Sequence, residues 1–130
     1  MNINEKNTII IVEDEETVRD VIIGIMNTQN YISYTASCSE EALDILKNIT
    51  IDLAIIDYGL PTEDGLALAK KFDIIYPNIP IILMSGLRLE MDNTWIQQTN
   101  IFDVLNKPFK IKTIIAKVKQ GLEASMCYRN

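Results

Sequence analysis

The sequence predicts an α/β fold of the doubly wound kind, a five-stranded parallel sheet in the order 2-1-3-4-5 with helices on both faces. Three observations predict it. Short β-branched apolar runs alternate about five times with longer stretches whose apolar residues recur at helical spacing. The stretches between runs are too long for hairpins and long enough for crossovers, so neighbouring strands pair in parallel. Right-handed crossovers then leave few topologies, of which 2-1-3-4-5 is the common one at this length.

Each element has its own justification. Thr8 to Val12 (TIIIV) is the first strand, with the continuous apolar character of a strand buried on both faces. It stops at Glu13-Asp14-Glu15-Glu16, where Glu15 and Glu16 read as solvated partners of a helix dipole. Val18, Val21, Ile22, Ile25 and Met26 follow at helical spacing, and Gly24 among them costs about 1 kcal/mol against Ala. Tyr31 to Ala36 is the second strand, after which Ser39 can cap a helix carrying Ala42, Leu43, Leu46 and Ile49. Leu53 to Ile56 is the third strand, closing on Asp57. The segment Tyr58 to Gly65 has the loop chemistry of Gly59, Pro61, Asp64 and Gly65.

Leu66 to Tyr76 reads as a helix that PNIP (Pro77 to Pro80) breaks. Ile81 to Met84 is the fourth strand, ending at Ser85-Gly86. A weaker helix around Leu89 to Gln98, with Met91 and Trp95 in its core or half-core, leads to a short fifth strand at Asp103 to Leu105. Beyond Asn106-Lys107-Pro108, the last helix carries Ile111, Ile114, Ile115, Val118 and Leu122 on one face. Lys110, Lys112, Lys117 and Lys119 form its solvated face.

Composition bounds what such a fold can do. The 130 residues amount to a single domain (1–130, core about 7–122), enough to bury about two-thirds of the unfolded surface. A net charge of −6 and a pI near 4.6 argue against direct nucleic-acid binding, which needs a basic face. No run reaches the roughly 18 apolar residues of a membrane span, and Met1 to Asn7 is too polar for a signal peptide. Cys38 and Cys127 form no CxxC pair and there is no histidine, so neither a zinc site nor a disulfide framework is expected. The thiols are read as structural or incidental, and the chain as cytoplasmic, with no membrane partner.

In such a sheet, ligands bind beyond the carboxyl ends of the strands, where strand order reverses. Glu13 and Asp14 follow the first strand, Asp57 the third, Ser85 the fourth and Lys107 the fifth. Two carboxylates about 4 Å apart repel by roughly 4 kcal/mol at an effective dielectric near 20. The cluster should therefore hold a proton or recruit a divalent cation. Oxygen-only ligands point to Mg²⁺, or Mn²⁺ as a similar hard ion. A cation beside a carboxylate, a hydroxyl and an ammonium is a phosphoryl-transfer arrangement in which the carboxylate can accept the group.

At these residues the chain resembles a receiver domain of a two-component response regulator, the chemotaxis-regulator-like family. VEDE (Val12 to Glu15) resembles its acidic pair, and IIDYGLP (Ile55 to Pro61) its phosphorylated aspartate and Leu-Pro turn. Thr62-Glu63-Asp64-Gly65 resembles the opening of its third helix, LMSG (Leu83 to Gly86) its Ser/Thr strand end, and NKPF (Asn106 to Phe109) its Lys-Pro turn. The resemblance runs from about Asn7 to Leu122 and implies a (βα)5 flavodoxin-like fold. It implies that Asp57 accepts a phosphoryl group from a histidine of a partner kinase or histidine phosphotransfer protein. It implies that Asp14 and Asp57 ligate Mg²⁺, with Glu13 acting partly through water and the Gly59 carbonyl completing the set. Lys107 would contact the phosphoryl group or Asp57, Ser85 would turn inward to hydrogen-bond it, Pro61 and Gly65 would shape the loop, and Pro108 would follow a cis bond.

The same resemblance implies a binding module, not an enzyme beyond its own phosphoryl transfer and dephosphorylation. Charge added at Asp57 would move Ser85 and the Gly86 to Glu90 loop. The face of the fourth and fifth helices and fifth strand would then engage an output partner, or a second copy in a homodimer. The chain is expected either as a free-standing regulator, with no effector domain after the last helix, or as a receiver from a larger protein. Some positions depart from the family. Val104 replaces the usual aromatic three residues before the lysine, and Phe102 shares its side only if the strand stays regular. Gly86 stands where Ala is usual, which loosens the following loop. Gly59 and Leu87 stand where polar side chains are frequent, which implies slow loss of phosphate. The same residues admit two other readings: a receiver-like interaction domain that is never phosphorylated, and a Mg²⁺-dependent aspartyl phosphatase. The latter needs an acid at position 59, where Gly59 stands. Flavin binding fails on the acids after the first strand, which would repel its phosphate.

Overall fold

The computed structural model describes residues 6–88 and 99–129, with the side chains of 126–129 left out. Five strands form one wholly parallel sheet in the order β2-β1-β3-β4-β5: β1 (Thr8–Val12), β2 (Ile32–Ala36), β3 (Leu53–Asp57), β4 (Ile81–Ser85) and β5 (Ile101–Asn106). Between and after them run α1 (Glu16–Thr28), α2 (Ser39–Asn48), α3 (Gly65–Ile75) and the C-terminal helix α4 (Ile111–Arg129). The helix expected around Leu89 to Gln98, with Met91 and Trp95, lies outside the described residues. Among the described residues no helix is long and apolar enough to cross a membrane.

Alternation along the strands divides the core into two layers. Ile9, Ile11, Ile55 and Met84 pack with Ile22 and Met26 of α1 and with Ile114 and Val118 of α4. Ile10, Val12, Ile56 and Leu83 pack with Ala42 and Leu46 of α2 and with Leu68 and Phe72 of α3. β1, β3 and β4 are thus covered on both faces, which accounts for their unbroken apolar sequences.

Four local expectations need correction. β5 starts at Ile101, two residues before the expected Asp103, because a bulge breaks its register with β4: Ile81 faces Ile101 but Ile82 faces Asp103. Phe102 is the extra residue, and its ring lies beside Gly121 of α4 while Val104 packs into the α2–α3 layer. The two side chains therefore occupy opposite faces. Ser39 is not a cap but the first residue of α2. The N-cap is Cys38, which makes no side-chain cap bond, while the Ser37 hydroxyl bonds the Glu41 carboxylate in the same turn. β2 begins at Ile32 instead of Tyr31, whose N–H is still bonded to the Met26 carbonyl of the α1 terminus after Asn30 turns the chain with a φ of 66°. Lys117, finally, is not simply solvated: its Nζ lies 2.7 Å from Asp103 Oδ2 and ties α4 to β5.

Candidate functional site

The backbone carries each chemically active side chain to the same end of the sheet by continuing the ladder one residue past the strand. Glu13 N–H donates to Ala36 O at 2.9 Å, Tyr58 N–H to Met84 O at 2.8 Å, and Lys107 N–H to Ser85 O at 2.7 Å. These bonds fix the directions of Glu13, Asp57 and Lys107 before any side-chain contact forms. The meeting point is the C-terminal end of β1 and β3, where strand order reverses.

There Lys107 Nζ bridges two acids, 2.9 Å from Asp57 Oδ1 and 3.0 Å from Glu13 Oε1. Asp57 is 6% exposed, Glu13 fully buried and Asp14 exposed. One carboxylate oxygen from each of Glu13, Asp14 and Asp57 lies within 4.8 Å of the others. Burial, reinforced by the neighbouring Asp57 carboxylate and only partly offset by Lys107, pushes the Glu13 carboxyl up to about 7. Burial works against the Lys107 ammonium, but Asp57 and Glu13 outweigh it and hold its pKa above the ordinary lysine value. The second Glu13 oxygen, Oε2, is buried and finds no hydrogen-bond donor among the described residues. Three converging carboxylates, one with an unsatisfied buried oxygen and none accompanied by nitrogen or sulfur ligands, suit a hard divalent cation such as Mg²⁺.

The remaining predicted residues differ in how they relate to this centre. A Cβ at Gly59 would lie 3.6 Å from Asp57 Oδ2, so Gly59 stands directly beside the carboxylate. Gly65 is a steric requirement: its N–H donates to Tyr58 O at 2.7 Å, and a Cβ there would collide with the Asp57 carbonyl. Asp64 caps α3, its Oδ1 accepting from Ala67 N–H at 2.8 Å. Pro61 is exposed in the loop, and the Lys107–Pro108 bond is cis. Ser85 is buried and its Oγ accepts from Leu87 N–H at 2.9 Å, so the hydroxyl is engaged by the exposed loop of Gly86 and Leu87. Val104 lies in the core, 8% exposed.

Two further contacts were not singled out from the sequence. Arg19 Nη1 donates to the Glu13 carbonyl at 3.0 Å. Glu63 pairs with Lys71 at 2.8 Å, and Lys71 and then Ser39 hold its carboxyl below the usual range. A cation one helical turn into α1 was the only available signal for Arg19, because a bond to a backbone carbonyl has no sequence signature of its own.

Residues 9–119 match the family model of the response regulator receiver domain. The regulatory protein VanR of Enterococcus faecium is 32% identical over 114 residues, covering 88% of this chain and 49% of VanR. The chain spans about half the length of the curated relatives it matches. A CheY-like receiver domain protein from Methanospirillum hungatei superposes with a TM-score of 0.88 at 22% identity, covering 95% of this chain and 99% of that one. NtrX from Brucella abortus superposes with a TM-score of 0.87 at 27% identity, over 96% of this chain and 28% of NtrX.

Proposed function

Because the chain belongs to the response regulator receiver domain family, we propose that it is a phosphorylation switch in which Asp57 accepts a phosphoryl group. The observation that carries this reading is the Lys107 ammonium bridging Asp57 and Glu13 beside three converging carboxylates. The donor is a phosphohistidine of a partner kinase or phosphotransfer protein, since this chain has no histidine.

An Asp57 carboxylate oxygen attacks phosphorus, the N–P bond to the donor imidazole breaks, and the imidazole nitrogen takes up a proton. Lys107 holds Asp57 in place and offers its ammonium to the transferred group's oxygens, in a buried setting where such a charge counts most. Glu13, Asp14, Asp57 and the Gly59 carbonyl would hold Mg²⁺, which when bound offsets negative charge on the phosphoryl oxygens. Ser85 releases Leu87 N–H and donates its hydroxyl to the new anion, which shifts the Gly86–Leu87 loop. The acyl phosphate adds charge where Glu13 already resists ionisation, so the rearrangement is driven by the cost of unpaired charge.

The output partner, or a second copy, then reads the neighbouring face of β5, α4 and the segment between β4 and β5. Val104, buried in the α2–α3 layer, stands where the family has an aromatic, so transmission runs through the loop after Ser85 and not through a turning ring. Gly59 and Leu87 offer no polar side chain to a hydrolytic water, which favours slow dephosphorylation. Intact mass after incubation with a small phosphodonor tests the switch chemistry. The expected result is one added phosphoryl group, lost without Mg²⁺ and lost in Asp57→Asn. A folded, Mg²⁺-loaded protein that gains nothing from either a small donor or a phosphorylated kinase overturns the reading in favour of an unphosphorylated interaction domain.

A further inference from the structure

We propose that Arg19 is a positioning residue for the acidic loop, its hold on the Glu13 carbonyl setting where Asp14 presents its carboxylate to the cation. The proposal rests on the reading of this site as one that takes Mg²⁺.

All three polar parts of Glu13 are tied to different elements. Its N–H bonds Ala36 O of β2, its carboxylate bonds Lys107 after β5, and its carbonyl accepts from Arg19 of α1. The carbonyl belongs to the peptide unit whose nitrogen is that of Asp14. Holding that oxygen at 3.0 Å fixes the rotation of the peptide plane and hence the starting direction of the Asp14 side chain. Asp14 is itself exposed, so its placement depends on the backbone more than on packing.

Arginine at this helical position suits the task. Side chains on a helix lean toward its N-terminus, so a residue one turn into α1 reaches back over the Glu15 cap to residue 13. Arg19 is further anchored by its own N–H, which donates to the Glu15 carbonyl at 3.0 Å. Its guanidinium keeps a fixed, planar donor geometry.

The sign of the effect separates positioning from bulk electrostatics. A cation near the site opposes a second cation, so by charge alone removing Arg19 tightens Mg²⁺ binding. If Arg19 positions the loop, removing it weakens binding despite the lost repulsion.

The test is calorimetric titration of Mg²⁺ into wild type, Arg19→Gln and Arg19→Lys at one ionic strength, with amide exchange of residues 13–15 followed in the metal-free proteins. Arg19→Gln is expected to bind Mg²⁺ about tenfold more weakly, the scale of losses seen when supporting contacts to metal ligands are removed. Its Asp14 amide exchanges faster before metal is added, while its melting midpoint in chelator stays near wild type. Arg19→Lys, which keeps the charge, falls between the two and carries the test if the glutamine variant does not fold. Equal or tighter binding by the folded variants overturns the proposal and leaves the reading of the site intact. A wild type that takes up no Mg²⁺ overturns both.

Discussion

A buried carboxyl with a pKa near 7 gives Glu13 a measurable effect on stability. Its folded pKa lies above the ordinary 4.5, so the folded protein binds the proton more tightly than the unfolded chain does. The resulting stabilisation is complete below pH 4.5 and disappears as pH rises through 7. In chelator, wild type should lose stability across that window relative to Glu13→Gln, by up to about 3 kcal/mol. Urea midpoints of both proteins at pH 5 and pH 8 check this. Parallel behaviour of the two would show that Glu13 titrates normally. The identities of Glu13, Asp57 and Lys107 at the sheet's end were legible because each follows a recognisable strand. That Glu13 is the buried acid and Asp14 the exposed one was not, since adjacent acids in a sequence carry no mark of which side chain turns inward.

Among the elements, the loop from Asp57 into α3 is sterically tight at Gly65. Gly65 closes it by donating to Tyr58 O, and no side chain fits against the Asp57 carbonyl. Gly65→Ala should cost about 3 kcal/mol, the upper part of the range for overpacked sites, and should also displace Asp57. Denaturation in urea measures the first effect and Mg²⁺ affinity the second. A variant as stable as wild type would mean that the loop relaxes freely. Strands β1, β3 and β4 were readable because burial on both faces leaves an unbroken apolar run. β5 is longer than its sequence pattern indicates, because the bulge at Phe102 interrupts the alternation on which that pattern depends. The Ser39 cap was misplaced for a related reason: Ser37, Cys38 and Ser39 are each acceptable cap residues or neighbours, and the Ser37–Glu41 bond that selects the turn forms only once the helix exists.

At the scale of the whole molecule, two apolar layers hold a sheet whose strand order brings β1 and β3 together at its centre. Crossover lengths made the parallel pairing legible, and crossover handedness with the common order at this length gave 2-1-3-4-5, from which the site's location follows. Stability and site are coupled, because the sheet that forms the core also gathers the carboxylates. A cation held only by the folded chain stabilises it by about 2.7 kcal/mol at a hundred times its dissociation constant. Scanning calorimetry should therefore show a melting midpoint several degrees higher in Mg²⁺ than in chelator, with the difference largely abolished in Asp14→Asn. An unchanged midpoint would mean that the acids do not act together on the ion. The most direct test of the central claim is a peptide map of the phosphorylated protein after borohydride reduction, which converts an aspartyl phosphate to homoserine. The account predicts homoserine at position 57 alone, whereas a phosphoryl group mapped to Asp14, Ser85 or any other residue would contradict it.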